Sequence, residues 1–207
     1  MLTFEEMRPQ ERKACSRLAA RAFLDYEYFS LYLPDRQKRE TCLKNMLASN
    51  FSVYRKKAVF LTAKQDRQLA AVAQLSRIRS QPPTALQYLK AGFWKVLLQG
   101  GYENMAAWYA MEQKAEEPCF SLPGDTWFLH VLTVEPSIEG KGIGSRMLQE
   151  CIIPCVKSQG GITLCLFTNS EINRKFYLKN GFEEFHAQVF SHQGKSVGSW
   201  SYRMSLS

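Results

Sequence analysis

The chain has 207 residues, 45% of them hydrophobic, and its 27 Lys and Arg outnumber 19 Asp and Glu to give a formal charge of +8. That length and apolar content suffice for one sizeable core, and no composition shift marks a linker, so we expect a single domain over 1–207. The N-terminal stretch is polar, no uncharged apolar span reaches the roughly 20 residues of a membrane helix, and the basic residues are scattered rather than striped; we expect no membrane partner, no nucleic acid and a cytoplasmic location. The six cysteines form no C-x-x-C pair and have no His at ligand spacing, which predicts buried reduced thiols and no metal.

In chain order, Leu2, Phe4 and Met7 suggest a short strand, and Pro9 introduces a helix carrying Cys15, Leu18, Ala19, Ala22 and Phe23. An aromatic cluster follows at Asp25, Tyr26, Tyr28, Phe29 and Tyr32. It reads equally as helix packing or as the wall of a pocket for an amine-bearing molecule, with Asp25 and Tyr28 as the candidate substrate contacts. Asp35 caps a second helix to about Ala48. Ala58 to Ala63 and Leu69 to Leu75, parted by the polar KQDRQ, predict a hairpin. A helical pair is expected from Pro83 to about Ala115, broken at Gly100-Gly101. Beyond it, Ile162 to Phe167 predicts a buried strand, Glu171 to Lys179 a helix stopped at Asn180-Gly181, and Phe182 to Phe190 with Val197 to Met204 a closing hairpin. The order implies an α/β fold, a mixed sheet with helices on both faces.

The stretch that organises the rest is WFLHVLTVEPSIEGKGIGSRMLQECIIPCV, from Trp127 to Val156. Trp127 to Val134 is β-branched and aromatic enough for a buried strand, Pro136 ends the ladder, and Ile143, Met147, Cys151, Ile152 and Cys155 keep helical spacing. Pro154 should end or kink that helix. Between strand and helix, Gly140, Gly142 and Gly144 allow a tight turn whose N–H groups and helix dipole suit a phosphate. The spacing fits neither G-x-x-x-x-G-K-[ST] nor G-x-G-x-x-G, which argues against a P-loop hydrolase and a dinucleotide fold.

VEPSIEGKGIG followed by NRKFYLKNGF resembles the GNAT N-acetyltransferase superfamily, and EGKGIGS, the NR-x-FY-x-x-x-GF stretch and AFLDYEYF before PDR are similar to its puromycin N-acetyltransferase branch. The resemblance implies a GNAT-like, mostly antiparallel sheet and a helical insert at about 83–115. It also implies acetyl-CoA as acyl donor and a small-molecule primary amine as acceptor, joined in a ternary complex by a monomer or homodimer. Protein lysine or N-terminal acetylation, and non-catalytic sensing of acyl-coenzyme A, are the alternative roles. Glu139 stands where the family usually has Gln or Arg, and Phe167 where relatives of the branch often carry Glu.

Carried onto this sequence, Glu139, Gly140, Lys141, Gly142, Ile143, Gly144 and Ser145 form the pyrophosphate loop, with Lys141 or Arg146 reaching an outer phosphate. Leu132 and Val134 on the central strand face the pantetheine arm and offer an N–H to the developing oxyanion. Tyr177 is the general acid toward the thiolate, and Asn173, one turn earlier, bonds the pantetheine amide. The two-residue period puts His130 on the face of Leu132 and Val134, where it is either the base, directly or through water, or a hydrogen-bonded core histidine.

Overall fold

The computed structural model describes residues 1–206. Strand β1 (Leu2–Glu6) and a 3-10 turn lead into α1 (Arg12–Ala22), α2 (Glu27–Tyr32) and α3 (Arg36–Val53). The hairpin β2 (Val59–Gln65) and β3 (Gln68–Arg77) precedes three helices, α4 (Ala85–Lys90), α5 (Trp94–Gly100) and α6 (Tyr102–Phe120). Then come β4 (Thr126–Val134), α7 (Ile143–Met147), α8 (Ile153–Ser158), β5 (Thr163–Thr168), α9 (Glu171–Lys179), β6 (Glu183–His192) and β7 (Lys195–Ser205).

The seven strands lie in the order β1-β2-β3-β4-β5-β7-β6. Every pairing is antiparallel except β4 with β5. The alternation of strand side chains divides the apolar residues between two faces. Phe60, Val72 and Val131 pack under α1, α2, α3, α5 and α6, whereas Leu61, Ala73, Leu75, Leu129 and Leu166 pack under α7, α8 and α9.

Three local expectations are corrected. The aromatic cluster after α1 is itself a helix, α2, and the insert is three helices rather than two. The last of them carries Pro118 in its final turn and ends at Phe120. Pro154 does not end its helix: the chain stays helical from Ile143 to Ser158, with a π turn at Leu148–Ile152 just before the proline. Proline lacks the N–H for an i−4 bond and its ring crowds that carbonyl, and a widened turn removes both conflicts without breaking the helix.

Candidate active site

Two features of β4 make the site. It pairs with β3 along its whole length, from Trp127 to Val134. It pairs with β5 only through Thr126, Trp127 and Phe128. Both strands continue beyond that point, so they part, and the edge of β4 from Leu129 to Val134 faces β5 without a ladder. Backbone donors and acceptors along such an edge are available to an extended ligand, because the sheet supplies them with no partner. At the parting point β4 also bulges: Leu75 pairs with Leu129 and Gln74 with Val131, which leaves His130 as the extra residue.

The bulge changes the side-chain assignment. Leu132 and Val134 pack with the α7–α8–α9 face. His130 lies on the opposite side, its Nε2 2.8 Å from Ser76 Oγ and its ring 5.2 Å from Tyr54 and 4.8 Å from Phe128. The two-residue period fails here because one added residue reverses the alternation. Burial pushes the His130 imidazole down to about 4, so the ring is neutral at physiological pH.

The glycine loop follows the open end of β4. Gly140 and Gly142 both adopt φ of +78°, a left-handed conformation that only glycine enters freely, and a Cβ at either would meet no atom within 4 Å. The backbone is thus exposed to solvent at the start of the helical stretch from Ile143, where N–H groups lack intrahelical partners. Gly144 is small for another reason: a Cβ there would sit 3.3 Å from the Phe176 ring of α9. Lys141 is exposed and in no salt bridge among the described residues. Arg146, in contrast, is engaged by Glu150 at 2.6 Å, so Lys141 is the loop cation available to an anion. Glu139 is exposed, and burial together with nearby Glu135 raises its pKa. These residues fit a diphosphate: an open cradle of main-chain amides with one free cation.

Across the gap, the C-terminal end of β5 and α9 bring a second group together. Tyr26 Oη is 2.7 Å from Thr168 Oγ1 and accepts the N–H of Asn169 at 2.8 Å, with the Asn173 side chain beside it. Tyr177 is buried against Phe182 and Tyr202, and burial, reinforced by Tyr26, pushes its phenol well above the usual range. It therefore holds its proton at any ordinary pH, the state a general acid requires. Tyr26 had no sequence signal beyond its place in an aromatic run.

Asp25 lies elsewhere. Its carboxylate is exposed, bonded by Arg36 at 3.1 and 3.2 Å, and held below the usual range by that guanidinium. An aromatic run that folds as a helix turns Tyr28 and Phe29 inward and leaves Asp25 in the preceding loop. Tyr28 is buried against Phe29, Tyr32 and Trp108 with no partner for its hydroxyl. Of the two residues read as acceptor-side candidates, only Tyr28 packs into the core that holds Val131.

Sequence reasoning missed the acidic pair on α6. Glu112 and Glu116, one turn apart, are half-buried, Glu116 beside Tyr54 and Tyr88, and neither is in a salt bridge among the described residues. Burial drives both carboxyls up, Glu116 to about 7 and Glu112 well above the ordinary value. Helical spacing alone gives an i, i+4 acidic pair no meaning; α6 must first be seen to lie over the His130 face. A hollow of about 440 Å³ at the other end of β4, lined by Arg77 and Asp125, is bridged by their ion pair and lies away from this constellation.

Residues 100–184 match the family model described as acetyltransferase (GNAT) domain, a segment running from the last helix of the insert through β4, the glycine loop, β5 and α9. Solved structures agree in fold. The ribosomal-protein-S18-alanine N-acetyltransferase from Escherichia coli superposes with a TM-score of 0.59 at 15% identity, covering 100% of this chain and 95% of its own. An N-acetyltransferase from Staphylococcus aureus gives 0.58 at 14%, covering 100% and 99%. An agmatine N-acetyltransferase variant in its apo form gives 0.64 at 11%, covering 99% of each chain. At such identities the likeness is one of fold, and no curated protein matches. The match over residues 100–184 supports an acyltransferase enzyme, and acetyl-coenzyme A is the donor which that family implies.

Proposed function

We propose that the enzyme moves an acetyl group from acetyl-coenzyme A to a primary amine of a small molecule, with donor and acceptor bound together. The observation that carries the reading is the parting of β4 from β5 after three paired residues, with the open glycine loop directly following the freed strand. The bound thioester supplies the activated acetyl group. The chain's own residues do the rest. Amides of Gly140 to Ser145 with Lys141 hold the diphosphate, and the free edge of β4 around Leu132 and Val134 orients the pantetheine arm and donates an N–H where negative charge develops. Asn173 fixes the arm from α9, and Tyr177 gives its proton to the departing sulfur.

His130 is neutral and so does not repel the ammonium form of the acceptor; the free amine attacks, and the proton its nitrogen sheds passes to solvent. A base depressed to about 4 cannot by itself strip an alkylammonium of pKa about 10.4. The acceptor's own ionisation then limits turnover. Helices α4 to α6 over the His130 face favour a small acceptor over a protein chain, and we take 1–207 as one catalytic domain with those helices as its insert. The test is release of free coenzyme A from acetyl-coenzyme A with a panel of small amines and a lysine peptide. Turnover with a small amine supports the reading, and turnover on the peptide alone overturns it.

A further inference from the structure

Among the described residues, the elements on the His130 side of the sheet carry buried polar groups that the fold does not satisfy. Glu112 Oε2 is fully buried without a hydrogen-bond partner. So are Trp108 Nε1, one turn back on α6, and Asn50 Oδ1 on α3. Gln74 is completely buried with neither amide atom partnered, and on β3 it shares a face with Ser76, whose hydroxyl meets His130. Tyr28, whose ring packs 6.4 Å from Trp108, is 4% exposed with an unpartnered hydroxyl. Buried polar groups in native proteins are almost always paired, so several orphans on one sheet face mark a place where another molecule supplies the partners.

The chemistry of that molecule follows from the carboxylates. The chain carries a formal charge of +8, yet no Lys or Arg pairs with Glu112 or Glu116 among the described residues. No group of three or more His, Cys, Asp or Glu side chains is placed to hold a metal ion among those residues either. Two carboxyls one turn apart, Glu116 beside Tyr54 and Tyr88 and Glu112 one turn on from Trp108, offer an organic cation both charge and aromatic faces. A line of rings, Trp108 to Tyr28 at 6.4 Å and Tyr28 to Tyr26 at 6.3 Å, runs from α6 to the Tyr26–Asn173–Tyr177 group. A molecule that lies along it can meet the carboxyls at one end and that group at the other.

On the basis of the acetyltransferase reading, we propose that the acceptor is an alkyl diamine or polyamine, with one nitrogen presented to the parted strands and a second, cationic nitrogen held by Glu112 and Glu116. The proposal assigns α6 as the specificity element of the enzyme.

The test compares putrescine, butylamine and the amino alcohol of the same chain length as acceptors, for the native enzyme and for Glu112→Gln/Glu116→Gln. The native enzyme should favour the diamine by about 10- to 10²-fold in kcat/KM, the scale of charged hydrogen bonds. The double variant should bring the three acceptors within a few-fold of one another, mainly through KM for the diamine. Thermal melts establish that the variant is folded, and each single variant should lose an intermediate share of the preference. Coenzyme A release with butylamine equal to that with putrescine, or a preference that survives in the double variant, overturns the proposal while leaving acetyl transfer intact. No release with any amine by the native enzyme overturns acetyl transfer and the proposal with it.

Discussion

Glu116→Gln should stabilise the protein, and only at the upper end of the pH range. Burial raises the Glu116 carboxyl from 4.5 to about 7. Below pH 4.5 the group is protonated in both the folded and unfolded chains and contributes nothing. Between the two values the unfolded chain ionises while the folded one stays protonated, so stability falls as pH rises, and above about 7 the full penalty is present. The interval at about 1.36 kcal/mol per pH unit is about 3 kcal/mol, which solvent at this half-buried site trims to about 2 kcal/mol. For a chain of this size that is about 4–8 °C in Tm. The groups facing Glu116 are Glu112 on its own helix, Tyr54 at the end of α3 and Tyr88 from α4, and the phenols of Tyr54 and Tyr88, both pushed up by burial, do not titrate in this window. The assay is the difference in Tm between Glu116→Gln and the native chain at pH 4.5 and pH 8, with and without saturating putrescine. A gap that opens at pH 8 and narrows with the diamine is expected. A gap of equal size at both pH values would refute the reasoning, because it would owe nothing to the carboxyl's ionisation.

Tyr177→Phe should lower kcat by about 10- to 10²-fold with little change in KM for acetyl-coenzyme A, a modest loss because a thiol of pKa about 8.5 leaves readily; an unchanged kcat removes Tyr177 from the mechanism. Gly142→Ala puts a methyl into the open cradle at φ of +78°, so it should cost about 1 kcal/mol of stability and raise KM for acetyl-coenzyme A about tenfold, read from melts and initial rates. With a monoamine acceptor, kcat/KM should climb about tenfold per pH unit toward the amine's own pKa, and a break near 6.5 would show that His130 titrates where its burial says it should not. Arg39→Met should destabilise by about 3 kcal/mol or more, because the buried guanidinium donates to the carbonyls of Leu24 and Leu33 at 2.6 Å each, whereas Asp25→Asn on the exposed side should cost under about 1 kcal/mol and leave kinetics alone.

What the sequence discloses about this fold is what the backbone dictates locally. Asp35 accepts the N–H groups of Gln37 and Lys38, as an Asp before a helical pattern should, and the helix at Glu171–Lys179 stops where Asn180-Gly181 signals it. The glycine loop was legible for the same reason, since its φ angles admit no common substitute. Two prolines run against the local preference. Pro118 and Pro154 both sit inside helices, the first in a terminal turn and the second after a π turn, because tertiary packing over the sheet holds those segments helical against the local preference.

The acceptor side was the illegible half, and the reason is one residue. Periodicity treats β4 as a regular strand, which would set His130 beside Leu132 and Val134 and give the catalytic edge its own base. The bulge instead separates the two functions. Leu132 and Val134 remain with the helices of the donor loop, while His130 turns to Ser76, Tyr54 and the face under α6. A bulge has no composition signal in FLHVLTV, because the extra residue is defined by its partner strand. Once it is placed, the rest of the proposal follows: the face that holds His130 is the face under α6, so the proposed donor contacts are backbone on one side of the sheet and the proposed acceptor contacts are side-chain charge on the other. Substitutions on α6 should therefore change which amine is chosen without changing how coenzyme A is held, and substitutions in the glycine loop the reverse.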